Sequence, residues 1–208
     1  MQALQPFEFN LETGELKVAE PARELLSLNL QAVPLAWVQP FVKTLTLTGG
    51  DVRGELVATA SNGGLALRAK TPLSFTGVSI ATADGPQVRA IDGSVNFTAD
   101  YTPQGWQAEV TTLTLASGGT TLFSLNGKAG QLAGKDQLLK ATGRWTANLA
   151  ALLLQPAAAG KAGLVQGEAS GDFTAAIGAR QEIRATLALQ RLAADPKLTK
   201  ESLPTIAI

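Results

Sequence analysis

The chain has no cysteine and no histidine, and its only methionine is Met1. No disulfide framework can form, so cysteine usage assigns no compartment. Ser-His-Asp and Cys-His nucleophilic centres are excluded, and so are zinc finger-type sites. Aromatic residues make up only 5% of the chain, which argues against a carbohydrate platform built on a row of exposed rings. Charged residues are scarce too, at 16% against about a quarter in typical domains. Lys+Arg and Asp+Glu number 17 each, so the net charge is zero. The basic stripe of a nucleic-acid binder is therefore missing, and no nucleic-acid partner is expected. Long apolar runs are also absent. The longest, Leu149 to Leu154, falls far short of the roughly eighteen residues that span a bilayer as a helix. Met1-Gln2-Ala3-Leu4-Gln5-Pro6 has no basic start and no apolar core, so it does not read as a signal peptide.

What the chain has is alternation. The 208 residues are 45% apolar, enough for one large or two small domains. From Val52 to Ala60 one parity is Val52, Gly54, Leu56, Ala58 and Ala60, and the other is Arg53, Glu55, Val57 and Thr59. Side chains alternate faces along a strand, so one face is apolar and the other mostly polar. Asn62-Gly63-Gly64 supplies a turn, and Leu65, Leu67 and Ala69 then alternate with Arg68 and Lys70. This pattern predicts an antiparallel hairpin with one apolar side.

The rest of the chain repeats that style. Phe7 to Phe9 and Leu16 to Val18 predict a hairpin about Glu12-Thr13-Gly14, and Leu28-Leu30-Ala32 and Thr44 to Thr48 alternate again. Pro21 to Leu26 and Pro34 to Val38 fit either a helical turn or an irregular link. Gly77 suggests a bulge between Leu73-Phe75 and Val78-Ile80. Asp84-Gly85, Asp92-Gly93, Pro103-Gln104-Gly105, Ser117-Gly118-Gly119 and Asn126-Gly127 all read as turns. Trp145, Leu149, Leu152 and Leu153 fall at helical spacing, which predicts a helix over Trp145–Leu154. Strands return from Val165 to Ala176 and from Glu182 to Leu192. Pro204 to Ile208 reads as a strand cut mid-course, as in a piece of a longer protein. The expected fold is mainly β: an elongated antiparallel amphipathic sheet, a groove or taco shape, with one or two short helices. Its expected parts are a first β unit over 1–130, a Gly/Ala-rich connection over 131–161, and the start of a second unit over 162–208.

An internal repeat underlies this division. Gln39-Pro40 recurs as Gln155-Pro156, Gly50 to Leu56 as Gly167 to Phe173, and Leu67-Arg68-Ala69 as Ile183-Arg184-Ala185. The spacing is roughly 115–117 residues throughout.

Candidate sites of conventional chemistry fall away. Asp51 and Glu55 stand beside turn or hairpin glycines, and their repeat counterparts Glu168 and Asp172 read as a solvated face rather than a carboxylate pair. Asp84, Asp92 and Asp100 lack calcium-loop spacing. Gly50–Gly54 carries Asp51 and Arg53 inside it and no Gly-Lys-Ser/Thr after it, so it is neither a membrane dimer motif nor a phosphate loop. Trp37, Trp106 and Trp145 lie far apart in apolar contexts that favour packing. No catalytic residue, metal or cofactor is expected.

The run Leu28-Asn29-Leu30-Gln31-Ala32-Val33-Pro34-Leu35-Ala36-Trp37-Val38-Gln39-Pro40-Phe41, with Leu47-Thr48-Gly49-Gly50-Asp51-Val52-Arg53-Gly54-Glu55-Leu56, resembles the AsmA-like, TamB-related superfamily of Gram-negative envelope proteins. Residues 143–192 resemble the same phrase more weakly. The resemblance implies a long curved sheet across the periplasm, in a parent anchored in the inner membrane. Its apolar face would conduct phospholipid between inner and outer membranes, with membrane proteins as partners at the ends. The residues expected to line that face and touch acyl chains are Leu45, Leu47, Val52, Leu56, Leu65, Leu67, Leu73, Phe75, Val95, Phe97, Val110 and Leu113. Phe173, Ile177, Ile183, Leu187 and Leu189 join them in the second unit. Two other classes remain: a structural or assembly β-module with a closed core, and a carbohydrate-binding β-domain.

Overall fold

The computed structural model describes residues 2–13, 15–21, 23–61, 63–132, 138–158, 163–178 and 180–194. The chain opens with β1 (Gln2–Ala3) and a small hairpin, β2 (Phe7–Phe9) and β3 (Leu16–Val18). β4 (Glu24–Pro34) leads into a 3-10 helix at Leu35–Phe41, then β5 (Thr46–Thr48) and β6 (Asp51–Ser61). A meander follows: β7 (Gly64–Thr82), β8 (Gly85–Thr102), β9 (Gly105–Ser117), β10 (Thr120–Leu132) and β11 (Leu139–Asn148). Helix α1 (Leu149–Leu153) precedes β12 (Leu164–Ile177), β13 (Gln181–Ala185) and β14 (Ala188–Ala194).

Twelve of these strands form one antiparallel sheet in the order β1-β4-β6-β7-β8-β9-β10-β11-β12-β13, with β5 beside β7 and β14 beside β12. The sheet does not close on itself, and β2–β3 stand apart as a two-stranded piece. Tight turns explain the meander, because each hairpin brings the next strand alongside the last. The sheet passes from β10 to β11 to β12 without a break in pairing, so both sides of the Gly/Ala-rich connection share one sheet.

The strands are longer than the turn signals suggest. Asp92-Gly93 and Asn126-Gly127 are not turns; they lie within β8 and β10, where Gly93 faces Phe75 and Gly127 faces Gly143. Neither glycine has a positive φ. Their lack of a Cβ serves close approach instead: at Gly93 a Cβ would strike the Phe75 ring, and at Gly127 the Thr142 carbonyl. The bulge at Gly77 is present as a register shift between Phe75 and Val78.

The predicted helix also shrinks. Trp145 to Asn148 continue β11, and only Leu149–Leu153 are helical. Trp145 pairs with Leu125 and stacks on Phe123, with centroids 6.3 Å apart. This packing outweighs the helical spacing of the leucines. The helix begins where the Asn148 side chain caps it, accepting from the Ala151 amide at 3.0 Å. Of the segment Pro34–Val38, open between helical turn and loop, Leu35–Val38 fall into the 3-10 helix and Pro34 ends β4, which begins at Glu24 within the other ambiguous segment.

Little of this chain is interior. Among the described residues only nine apolar side chains are buried, and three of those are the alanines Ala58, Ala147 and Ala169. The accessible surface is 14059 Å². A compact monomer of this mass would expose about 9,200 Å². Among the described residues no second layer runs along the twelve-stranded sheet, and part of the excess has that origin. A Gly93→Val substitution should therefore act locally, by displacing the Phe75 ring. It is expected to cost about 1–3 kcal/mol, read as a lower urea midpoint with an unchanged slope.

Candidate functional site

The site is the face of the sheet that carries the apolar parity, and register shows how it is assembled. One line of paired residues is Leu26, Ala58, Leu67, Ala99, Ala108, Ala129, Ala141, Ala175 and Ile183, one from each strand from β4 to β13 along the main path. Five successive members, from Ala99 on β8 to Ala175 on β12, are all alanine. The line on one side is Leu65, Tyr101, Trp106, Gln131, Leu139 and Ile177. The line on the other side is Phe97, Val110, Gly127, Gly143 and Phe173, and the Phe173 ring lies where a Cβ on Gly143 would stand. The alanine line thus runs across the strands as a furrow between longer side chains at β8, β9 and β12, while at β10 and β11 one flank drops to Gly127 and Gly143, the latter under the Phe173 ring. Adjacent strands are about 4.8 Å apart, so the five alanines span about 19 Å.

Two further lines complete the face. Leu73, Val95, Leu113, Leu125 and Trp145 pair in succession, as do Val52, Phe75, Gly93, Leu115, Phe123, Ala147, Ala169 and Leu189. Leu47 pairs with Ile80, which pairs with Val88.

Two helical segments cover the lower end of this face, and they use the same device. The 3-10 helix starts at Leu35, whose Cδ1 sits where a Cβ on Gly50 would point, beside Val78. Helix α1 starts at Leu149, whose side chain lies in van der Waals contact over Gly167, with Leu192 closer still. Gly50 and Gly167 are counterparts in the sequence repeat. The repeated glutamines follow suit. The Gln39 Oε1 accepts from the Leu47 amide at 2.8 Å, and its Nε2 donates to the Leu45 carbonyl at 2.7 Å. The Gln155 side chain is buried, and its Oε1 accepts from the Arg89 amide at 2.8 Å. The Ala157 amide then donates to the Gln87 carbonyl, so the turn after α1 is fastened to β8.

The residues expected to touch acyl chains sort into three groups. Val52, Leu56, Leu65, Leu67, Leu73, Phe75, Val95, Phe97, Val110, Leu113 and Phe173 share the face described above and are half-buried, so none of them is sealed in a core. Leu45 and Leu47 are half-buried at the Gln39 anchor. Ile177, Ile183, Leu187 and Leu189 are exposed at the far edge, with Leu187 in the break between β13 and β14. Sequence reasoning missed the alanine line, Leu115, Phe123, Leu125 and Trp145. Small residues carry a weak apolar signal, and Trp145 was assigned to a helix. The strict parity of Lys140 to Asn148 was the signal that could have found it.

The opposite face is polar and solvated over β8 to β12, while Val57 is buried on it at β6. Ser74, Ser94, Thr114, Ser124, Thr146 and Ser170 pair in one line. Lys128 pairs with Glu109 at 3.2 Å and Arg144 with Asp172 at 2.8 Å. Such exposed pairs contribute about 0–1 kcal/mol each. A depression of ≈ 560 Å³ opens over Asp100, Gln107, Glu109, Lys128, Lys140 and Thr142, and Trp106, Ala108, Ala129, Gln131 and Ala141 of the furrow and its wall also line it. No group of three or more metal-ligating side chains occurs among the described residues.

Fold and site together define a class: an open, single-layer amphipathic β-sheet whose apolar face is fastened at one end by two repeated helical segments. No family model, curated protein or solved structure matches the chain.

Replacing Gln155 by Leu leaves the Arg89 amide without its acceptor. The change should destabilise the anchor by about 1–3 kcal/mol. Hydrogen exchange at the Arg89 and Ala157 amides should accelerate, while exchange in the centre of β9 stays as it was.

Proposed function

We propose that the chain is a non-enzymatic segment of a cell-envelope protein whose apolar sheet face accepts phospholipid acyl chains for transfer between inner and outer membranes, in the periplasm. The observation that carries this reading is the alanine furrow from Ala99 to Ala175. Its length of about 19 Å is close to that of an extended acyl chain, and the lines beside it carry Leu65, Tyr101, Trp106, Leu139 and Ile177 on one side and Phe97, Val110 and Phe173 on the other, interrupted by Gln131, Gly127 and Gly143. The driving force is partition: each methylene removed from water contributes about 0.8 kcal/mol. Headgroups stay at the solvent side of the furrow. No bond is made or broken, so no catalytic group is needed. The resemblance of Leu28–Leu56 to envelope proteins of the AsmA-like superfamily supports the compartment and the membrane partners.

The second reading is a structural or assembly module of the envelope, with the apolar face closed by packing. The helical segments at Leu35–Phe41 and Leu149–Leu153 favour it, because they already cover one end of the face. Against it stands the small number of buried apolar residues among those described.

Native mass spectrometry of the purified chain, with extraction of bound lipid, separates the two. Phospholipid should co-purify. Filling the furrow with Ala108→Phe and Ala141→Phe, or placing charge beside it with Leu67→Asp, should remove it while circular dichroism still reports the sheet. A clean apo mass for the unchanged, folded chain would favour the structural module.

A further inference from the structure

Each strand from β8 to β12 crosses the furrow with three alternate residues: one wall, a floor alanine and the other wall. The two walls differ in kind. The wall away from the Pro103-Gln104 turn is two phenylalanines, a valine and two glycines, with no hydrogen-bonding side chain. The wall next to that turn reads Tyr101, Trp106, Gln131, Leu139 and Ile177 from β8 to β12. It carries polar groups over β8 to β10 and turns aliphatic over β11 and β12. No position of the floor or of either wall is charged.

Tyr101, Trp106 and Gln131 are neighbours on consecutive strands. The Trp106 Nε1 donates to the Gln131 Oε1 at 3.3 Å, which holds the indole along the wall. The Tyr101 hydroxyl has no partner among the described residues. Both rings are accessible, Tyr101 at 42% and Trp106 at 37%. Rings with an apolar body and a polar end suit a boundary between hydrocarbon and water. The furrow also has a blind end. Beyond Leu67 its line reaches Ala58 on β6, which is buried.

We propose that Tyr101, Trp106 and Gln131 form an ester-recognising end of the furrow, which sets the direction in which a phospholipid lies. The Tyr101 hydroxyl donates to the carbonyl of the acyl ester. The Trp106 indole lies against the first methylenes, and Gln131 is a positioning residue that holds the indole. The acyl chain then runs toward Leu139 and Ile177, with its terminal methyl at β12. With no charge in either wall, the group that is read is the ester rather than the phosphate. This inference rests on the reading of the furrow as a lipid site, and adds to it a direction and a specificity.

The test is native mass spectrometry of the whole chain with an equimolar pair: a diacyl phosphatidylglycerol and its dialkyl ether analogue, with chains of equal length. A neutral hydrogen bond to the carbonyl is available only to the first, so the ester lipid should be preferred about fivefold. Tyr101→Phe removes one accessible hydroxyl and should level the two, with the ether lipid bound as before. Gln131→Leu releases the indole and should lower the preference. Replacing the glycerol headgroup by ethanolamine in both lipids should leave the preference unchanged. In a chain with Trp37 and Trp145 changed to Phe, Trp106 emission should be quenched more by bromine near the ester than by bromine at the chain end. Equal binding of the two lipids by the unchanged chain, or a preference that survives Tyr101→Phe, would overturn the proposal and leave the furrow reading standing. Failure of both lipids to bind would overturn the furrow reading, and this inference with it.

Discussion

A single layer of β-sheet cannot bury its own apolar face, and that constraint governs this protein. Side chains leave a strand on two sides, so every apolar parity needs a partner from elsewhere. Here twelve strands supply one such face, and among the described residues only two short helical segments and a few N-terminal residues pack near it or at its edge. Hydrophobic burial across the face is thus incomplete. The fully buried Val57 lies on the opposite parity, paired with Ser27 and Arg68, and the fully buried Leu25 lies beside the N-terminal segment, its carbonyl accepting from the Leu4 amide. Much of the cohesion must come from backbone ladders and from contact between adjacent strands.

Glycine and alanine turn the constraint into a shaped surface. Phe75 over Gly93 and Phe173 over Gly143 lay rings flat on the neighbouring strand instead of standing them upright. The alanines of β8 to β12 then leave a trough beside Phe97, Val110 and Phe173. A surface of this relief suits a long flexible chain better than a compact ligand. It also explains why a protein with so few charges can stay amphipathic: hydroxyl side chains on the opposite parity provide most of the polar cover, and the ion pairs there are exposed and individually weak.

Much of this architecture was legible in the sequence. Strict alternation in Val52–Ala60 and Leu65–Lys70 gave the strands, and the hairpin turns at Asp84-Gly85 and Ser117-Gly118-Gly119 gave the meander. The repeated Gln-Pro and the Gly50/Gly167 pair were visible as identities, but their purpose was not, because the hydrogen bond that the Arg89 amide donates to Gln155 joins residues 66 positions apart. Sequence misread glycine where it serves contact between strands. Gly93 and Gly127 looked like turn residues because Asp-Gly and Asn-Gly are turn dipeptides locally, whereas a ring or a carbonyl on the next strand decides their place. Trp145 was misread for the same reason, since its stacking partner Phe123 is on β10. The furrow was invisible because its floor is alanine, the residue whose apolar signal is weakest.

The central claim is that the apolar face stays open and takes acyl chains. Trp145 stands on that face and reports on it directly. With Trp37 and Trp106 changed to Phe, its fluorescence would be followed as phospholipid brominated along the acyl chain is added. The account predicts strong quenching by the acyl-brominated lipid and a blue shift with the unbrominated one. An emission spectrum untouched by either lipid, in a chain that remains folded, would contradict it.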